Sequence, residues 1–473
     1  MRVRLWHDVA IFAVALAVFA ALPQRVLHGI DSNSFVVWIE NHDYAGVARH
    51  LAYLRFGGLV YAVLEPFGAG GYRALCVASA LGSALGLVLV HRAFALLQPR
   101  STAPIWATLG VGTTAAWFFY ATSVEVHGVF AAGAGLAWWM FARWSASPTR
   151  ARAAALGLAG AAAASLHAFG HLLTPGFAVA AWLLGSLPAP RRRAFAQLGI
   201  GAAVHAGAAL LLAWLFAADS GAQAHDAAAM LREYAATFAP TSTPAVLWRE
   251  WLLPYLPWSL LALVALCVPR ARRLGGMTLA LLLLHLPLVV LLLGYHDIRE
   301  NGAYLLPIAP AAVWAAAALL PKAAFRAALL ASVATAAFYV VPGLRDPVPA
   351  GFGQGVLALD REHKVALVVA GEAELDGARS AVKGLMAMDL AAVLNTYLQQ
   401  PKPLPPFAQF FDGWHALLIA QHMTPLLTAR ARDFFANTTD PQLRAFWYEH
   451  LPQRYRLREV ERDGFRGVFV EPR

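Results

Sequence analysis

Pro190-Arg191-Arg192-Arg193-Ala194 places three consecutive guanidinium groups between two apolar runs, 172–188 and 194–216. Each run is long enough (about 17–25 residues) to cross a bilayer as a helix. Basic residues in short connections are retained on the cytoplasmic side, so the triplet sets the direction of both runs. Working outward from it, apolar runs at 6–24, 72–91, 103–121, 127–144, 153–168, 251–269, 275–294, 303–320 and 323–342 bring the spans to eleven. Arg2, Arg4, Arg92, Arg100, Arg143, Arg150, Arg152, Arg270, Arg272, Arg273, Lys322 and Arg326 join the triplet in every second connection. There, 15 basic residues stand against a single acid, Asp8, whereas the alternate connections hold seven basic residues and eleven acids. The sequence therefore predicts a cytoplasmic N-terminus and an outer location for everything after residue 343.

Composition agrees. The 473 residues are 59% apolar and 14% charged, with a mean hydropathy of +0.55. Soluble domains carry about 45–50% apolar and about 25% charged residues, so an ordinary soluble enzyme and a disordered chain are excluded. Two cysteines, Cys76 and Cys267, sit in apolar runs and cannot build a disulfide framework or a zinc site. Residues 344–473 hold 15 basic and 15 acidic residues, so the net charge of +10 belongs to the membrane part. Its basic residues lie in short loops without interleaved aromatics, which argues against nucleic acid as a partner.

Leu51–Gly68 is apolar but broken by Arg55, Glu65 and Pro66. Counting it as a span would place Arg191–Arg193 outside, so it reads as a juxtamembrane helix (51–68) within an outer loop, 25–71. Residues 1–343 then form an all-α polytopic membrane domain, and 344–473 a small soluble α/β domain. In the latter, Val365–Ala370 predicts a buried strand, Glu372–Gln399 a helical stretch, Lys402–Pro406 a break, and Phe410–Phe435 helix kinked at Pro425. Tyr455–Glu461 and Gly467–Glu471 predict a hairpin turning at Asp463-Gly464.

Ionisable residues near hydrocarbon depth are the informative ones, because placing them there is costly. They gather at the outer ends of the spans: His28, Asp31, Glu40, Asp43, Arg49 and His50 in the first outer loop; Glu125 and His127 in the next turn. His167 and His171 follow in a third turn, and His296, Asp297, Arg299 and Glu300 in a fourth. Each has a bland reading. Asp31 could be a solvated loop acid, Glu125 a helix cap or ion-pair partner, and Arg299 the partner of Asp297 or Glu300. His167 and His171, four apart, share a helix face, as hydrogen-bonded structural residues or as metal ligands.

Five stretches in order resemble the GT-C superfamily of membrane glycosyltransferases, and within it the bacterial group similar to protein O-mannosyltransferases. They are Asp31-Ser32-Asn33-Ser34, His50-Leu51-Ala52-Tyr53, Glu125-Val126-His127, Gly170-His171-Leu172-Leu173-Thr174-Pro175-Gly176, and Arg299 followed by Tyr304-Leu305-Leu306-Pro307. Ser34 stands where that group has a second acid, and Leu51 where it has a proline. The resemblance spans roughly 5–320 and implies a GT-C-like fold and a sugar donor linked to a polyprenyl phosphate.

It further implies Asp31 as the base that deprotonates an acceptor hydroxyl, with Glu125 as a second acid orienting the acceptor or the base. Arg299 would clamp the departing phosphate, since a guanidinium binds phosphate in a bidentate manner. His171, His50, Tyr53, His127 and Tyr304 would line the substrate site. No cofactor is required, and a divalent metal on Asp31, Glu125 and a histidine stays open. The expected partners are the lipid-linked donor, membrane lipids and an acceptor that is a protein, lipid or glycan. A non-catalytic relative that binds a lipid-linked glycan or a partner protein is the second reading. A transporter fits less well, because the charges gather at one face and not at the midplane.

Overall fold

The computed structural model describes residues 5–24, 29–44, 50–97, 103–184, 191–217, 243–296, 300–344, 351–379, 381–382, 384–390, 393, 406–438 and 440–473. Arg2, Arg4, His28, Arg49, Arg100, Asp297, Arg299 and Lys402 lie outside the described residues. The chain packs as two compact units. One comprises Met1–Gln24, Asp43–Val63 and Leu75–Pro342; the other comprises Arg25–His42, Leu64–Ala74 and Gly343–Arg473.

The first unit is helical, and each predicted apolar run carries helix over its described residues. The helices are α1 (Leu5–Ala21), α3 (Tyr53–Leu64), α4 (Gly71–Leu97), α5 (Pro104–Gly112), α6 (Ala115–Thr122), α7 (Val126–Ala146), α8 (Arg150–Leu166), α9 (Leu173–Leu184), α10 (Arg191–Ala217), α11 (Thr243–Leu247), α12 (Trp258–Cys267), α13 (Arg272–His296), α14 (Ala309–Leu319) and α15 (Lys322–Leu344). Helix α2 (Gly29–Glu40) belongs to the second unit. Among the described residues, four helices are long and apolar enough to cross a bilayer alone by length and composition: Gly71–Leu97, Arg193–Leu215, Arg272–Leu291 and Lys322–Leu344.

Several other runs are broken into shorter helices, and the sequence shows why. Thr114 ends the α5 segment and caps α6, its Oγ1 accepting the Trp117 N–H at 3.3 Å. The eighth run is not one helix over 251–269. A wide turn at Trp248–Leu252 follows α11, and Pro254 and Pro257, which lack N–H donors, precede α12. Before α14, Ala303–Ile308 forms a tight 3₁₀ segment containing Pro307.

Glycine and alanine let these helices approach closely. A Cβ at Gly157 of α8 would sit 2.1 Å from the Gly201 carbonyl of α10, and one at Gly135 of α7 would sit 2.6 Å from the Gly86 carbonyl of α4. The α3 helix has 12 residues, about 18 Å at 1.5 Å per residue, too short to span. Leu59 and Val63 on it are 69% and 65% exposed.

In the second unit, Glu40 of α2 accepts the Gly71 N–H through Oε1 at 2.9 Å and the Gly384 N–H through Oε2 at 3.3 Å. The C-terminal residues form a five-stranded sheet of order β2-β1-β3-β5-β4. Its strands are β1 (Val365–Val369), β2 (Ala387–Asp389), β3 (Thr424–Thr428), β4 (Tyr455–Arg462) and β5 (Phe465–Pro472). Strand β1 is buried on both faces: Val365, Leu367 and Val369 pack with Phe352, Phe465 and Phe469, while Val368 packs with Phe411, Leu427 and Phe446. The hairpin turns at Asp463 and Gly464, both at positive φ (45° and 87°), as a two-residue loop requires.

Two expectations here need correction. The helix starting at Glu372 ends at Arg379, and strand β2 follows. Phe410–Phe435 is helix, strand, helix: Phe407–Ala420, then β3, then Ala429–Asn437. Pro425 lies inside β3, which is a central strand. It is accommodated because β5 pairs only with Leu426–Thr428, leaving Pro425 beside β1 alone.

Candidate active site

Hydrogen bonds between distant segments gather one end of the helical unit. The Gln24 side chain donates to the Phe119 carbonyl at 2.9 Å, joining the end of α1 to α6. Ser79 and Ser83 of α4 donate to the carbonyls of Glu125 and Gly128 at 3.2 and 3.1 Å. The Ala52 N–H donates to the Ser165 carbonyl at 2.9 Å, tying the start of α3 to the end of α8.

The broken eighth run and the turn before α14 are locked together. Glu250, 1% exposed, accepts the Gly302 N–H at 2.7 Å and the Glu300 N–H at 3.2 Å. Tyr255 donates back to the Gly302 carbonyl at 2.6 Å, and Tyr120 donates to the Glu300 carbonyl. Gly302 has φ +82°, and a Cβ there would meet Tyr255 at 2.7 Å, so glycine is required twice over.

These ties assemble a mostly buried cluster of imidazoles and phenols around the Glu125 carboxylate. Glu125, 7% exposed, precedes α7, and its Oε2 accepts the Val126 N–H at 3.2 Å, which is the capping geometry of its bland reading. His127 lies one residue further, its ring 4.7 Å from His167, 4.9 Å from Tyr120 and 5.3 Å from Tyr304. His50 stacks on His167 at 5.1 Å. Burial first, and then the charge of Glu125, raise the Tyr53 phenol well above its ordinary value, so Tyr53 is a neutral group beside that carboxylate. His127 Nδ1 has no hydrogen-bond partner among the described residues. Imidazole and phenol groups beside a carboxylate can contact a sugar by ring stacking and hydrogen bonds.

Five of the predicted site residues, His50, Tyr53, Glu125, His127 and Tyr304, thus belong to this unit and this end of it. Of the other three, only His171 has a described side chain. Asp31 lies in the first turn of α2, in the second unit, and its side chain is outside the described atoms. Arg299 is outside the described residues altogether. His171 is exposed, and its Nδ1 lies 3.0 Å from His205 Nε2, with His205 Nδ1 2.8 Å from Thr174 Oγ1. Sequence reasoning left out Glu250, Tyr120 and Phe169; a lone glutamate at the end of an apolar run was the available signal for Glu250. His167, read from the sequence as either a structural residue or a metal ligand, is the hub of the ring cluster, with its Nδ1 also accepting the Phe169 N–H at 3.2 Å. Among the described residues, no group of three or more His, Cys, Asp or Glu side chains is arranged to hold a metal ion.

No known family model and no curated protein match the sequence. Solved structures do match the fold. ArnT from Cupriavidus metallidurans bound to undecaprenyl phosphate superposes with a TM-score of 0.60 at 15% identity, covering 98% of this chain and 97% of that one. The chain has the GT-C fold. The apo form of ArnT agrees, with a TM-score of 0.57 at 16% identity and the same coverage. Arabinofuranosyltransferase AftD from mycobacteria matches at 0.52 and 13% identity, over 99% of this chain and 42% of that larger one. With four described helices long and apolar enough to cross a bilayer, the chain is a multi-pass membrane protein.

Proposed function

We propose that the protein is a glycosyltransferase that moves a sugar from a polyprenyl-phosphate-linked donor to an acceptor at the outer face of a bacterial inner membrane. The observation that carries this reading is the mostly buried cluster of Glu125, His127, His50, Tyr53 and Tyr304 at one end of a GT-C helical unit. An ArnT structure of the same fold holds undecaprenyl phosphate, which supports the donor class.

The chemistry needs few groups. An acceptor oxygen attacks the anomeric carbon as a base takes its proton. The bond to the phosphate oxygen breaks with its electron pair, and polyprenyl phosphate departs as a stable anion. A second carboxylic acid to protonate the leaving group, as in glycoside hydrolysis, is therefore not obligatory, and a single in-line displacement inverts the sugar. Asp31 serves as base, Glu125 orients the acceptor or base, and Arg299 stabilises the phosphate charge. His50, His127 and Tyr304 line the sugar site, Tyr53 keeps a neutral donor beside Glu125, and His171 supports the site from its periphery.

The direct test incubates the purified protein in vesicles with polyprenyl phosphates carrying different hexoses and pentoses and with a bacterial envelope extract as the source of acceptors, and measures release of free polyprenyl phosphate. Release from one donor, lost in Glu125→Gln, supports the reading. Saturable donor binding without release from any donor would favour the non-catalytic relative that binds a lipid-linked glycan.

A further inference from the structure

At the end of the helical unit opposite Glu125, about 30 Å away along the 21 residues of α7, lies a cavity of about 420 Å³. It sits between the start of α1, the end of α4 and the connection from α7 to α8. Three guanidinium groups, Arg92, Arg143 and Arg152, face it against one carboxylate, Asp8.

Asp8 is committed to Arg92: its Oδ2 accepts from both Nε and Nη2 at 2.9 Å. Arg143 and Arg152 have no carboxylate partner among the described residues. They are nevertheless held in place. The Arg143 guanidinium lies 5.4 Å from the centre of the Trp139 ring, and that of Arg92 lies 5.1 Å from it. Arg152 Nη1 donates to the carbonyls of Ser147 at 2.8 Å and Arg143 at 3.2 Å, at the end of α7. Two positively charged forks are therefore fixed around a cavity with no counter-charge of their own. Guanidinium forks match the geometry of phosphate oxygens.

The surroundings select the source of that phosphate. Leu5, Trp6 and Leu96, at the same end of the unit, are 70%, 57% and 41% exposed. On a membrane-spanning bundle such side chains face acyl chains, with the indole near the headgroups. A ligand that satisfies both the arginines and this wall carries a phosphate on an apolar body.

We propose that this cavity binds the phosphate headgroup of an anionic membrane lipid, in the leaflet opposite the transfer site. By the charge of its connections this is the cytoplasmic leaflet, where basic pockets between helices suit anionic headgroups. The site uses none of the residues assigned to sugar transfer, and its occupancy is separable from activity.

The test uses the full-length protein in neutral detergent, with retention of phosphatidylglycerol or phosphatidylcholine measured by native mass spectrometry. Phosphatidylglycerol should bind at least tenfold more tightly. Each arginine near a phosphate contributes roughly fivefold. Arg143→Gln with Arg152→Gln should therefore weaken phosphatidylglycerol by about 25-fold and leave phosphatidylcholine unchanged. Ala146→Glu, which sets a carboxylate at the exposed rim of the cavity and spares the arginine-to-carbonyl bonds, should weaken it severalfold should the double variant fail to fold. Equal retention of the two lipids, or wild-type retention by the variants, would overturn the proposal. So would complete displacement of the lipid by millimolar inorganic phosphate, which would make the cavity a site for a free anion.

Discussion

Glu250→Gln tests the lock that holds Tyr304 in the site. Glu250 accepts the Gly302 N–H at 2.7 Å and the Glu300 N–H at 3.2 Å from a position 1% exposed. Hydrogen bonds to a charged acceptor contribute about 1.5–3 kcal/mol each. Glutamine offers one oxygen, so one N–H keeps a neutral and weaker bond while the other meets an amide NH₂, donor against donor. The segment 300–304 should lose roughly 2–4 kcal/mol of local stability, a factor of about 30 to 900 in its opening equilibrium. Hydrogen exchange followed by mass spectrometry on the detergent-solubilised protein reads this at the Gly302 amide. Faster exchange confined to 300–305 and the facing 250–255 segment is the expected result. Gly302 protection within threefold of wild type would refute the idea that the carboxylate holds this turn.

Three other expectations follow from different parts of the chain. Reporter fusions after Arg193 and Arg273 should read as cytoplasmic and fusions after Gly343 as periplasmic; a cytoplasmic signal from the C-terminal residues would reverse the proposed orientation. Gly157→Leu should prevent α8 from meeting α10, since even a Cβ would lie 2.1 Å from the Gly201 carbonyl. It should abolish monodisperse elution on size exclusion, whereas normal elution would contradict the close packing. Burial raises the Glu374 carboxyl above its ordinary 4.5, despite hydrogen bonds from Thr428 and Ala370. A raised folded value means that the contribution of Glu374 to stability is full below pH 4.5 and is lost as pH rises through the raised value. Exchange protection of strand β3 should therefore fall across that window in wild type and less so in Glu374→Gln; parallel profiles would exclude Glu374 as the source.

The helices of the first unit were legible as apolar runs, because each run carries helix over its described residues. Their orientation and the surface position of 51–68 rest on the alternation of charge around Arg191–Arg193, and the reporter fusions test them. The Asp463-Gly464 turn was readable because two positive φ angles demand those residue types. Pro425 misled because the residues around it carry a helical pattern on both sides. Only the sheet partners of β3, far away in sequence, show that its missing N–H is tolerated.

The motifs brought His50, Tyr53, Glu125, His127 and Tyr304 together at one end of the unit. Glu250 was missed because its role is to accept backbone N–H groups 50 residues away, which no local pattern encodes. His171 was drawn into the site by its motif, whereas its visible partner, His205, lies 34 residues on in the middle of α10. His167 took the central position because the turn between α8 and α9 aims its ring inward beside Phe169.

The transfer reaction itself is tested most directly by mass analysis of envelope glycans in a deletion strain complemented with wild type or with Asp31→Asn. The substitution keeps size and hydrogen bonding but removes the basicity that proton abstraction requires, so transfer should fall by about 10²–10⁴. The account predicts a glycan species restored by wild type and missing with Asp31→Asn, while both proteins reach the membrane in equal amount. Full restoration of the glycan by Asp31→Asn, or no change in any glycan on deletion, would contradict it.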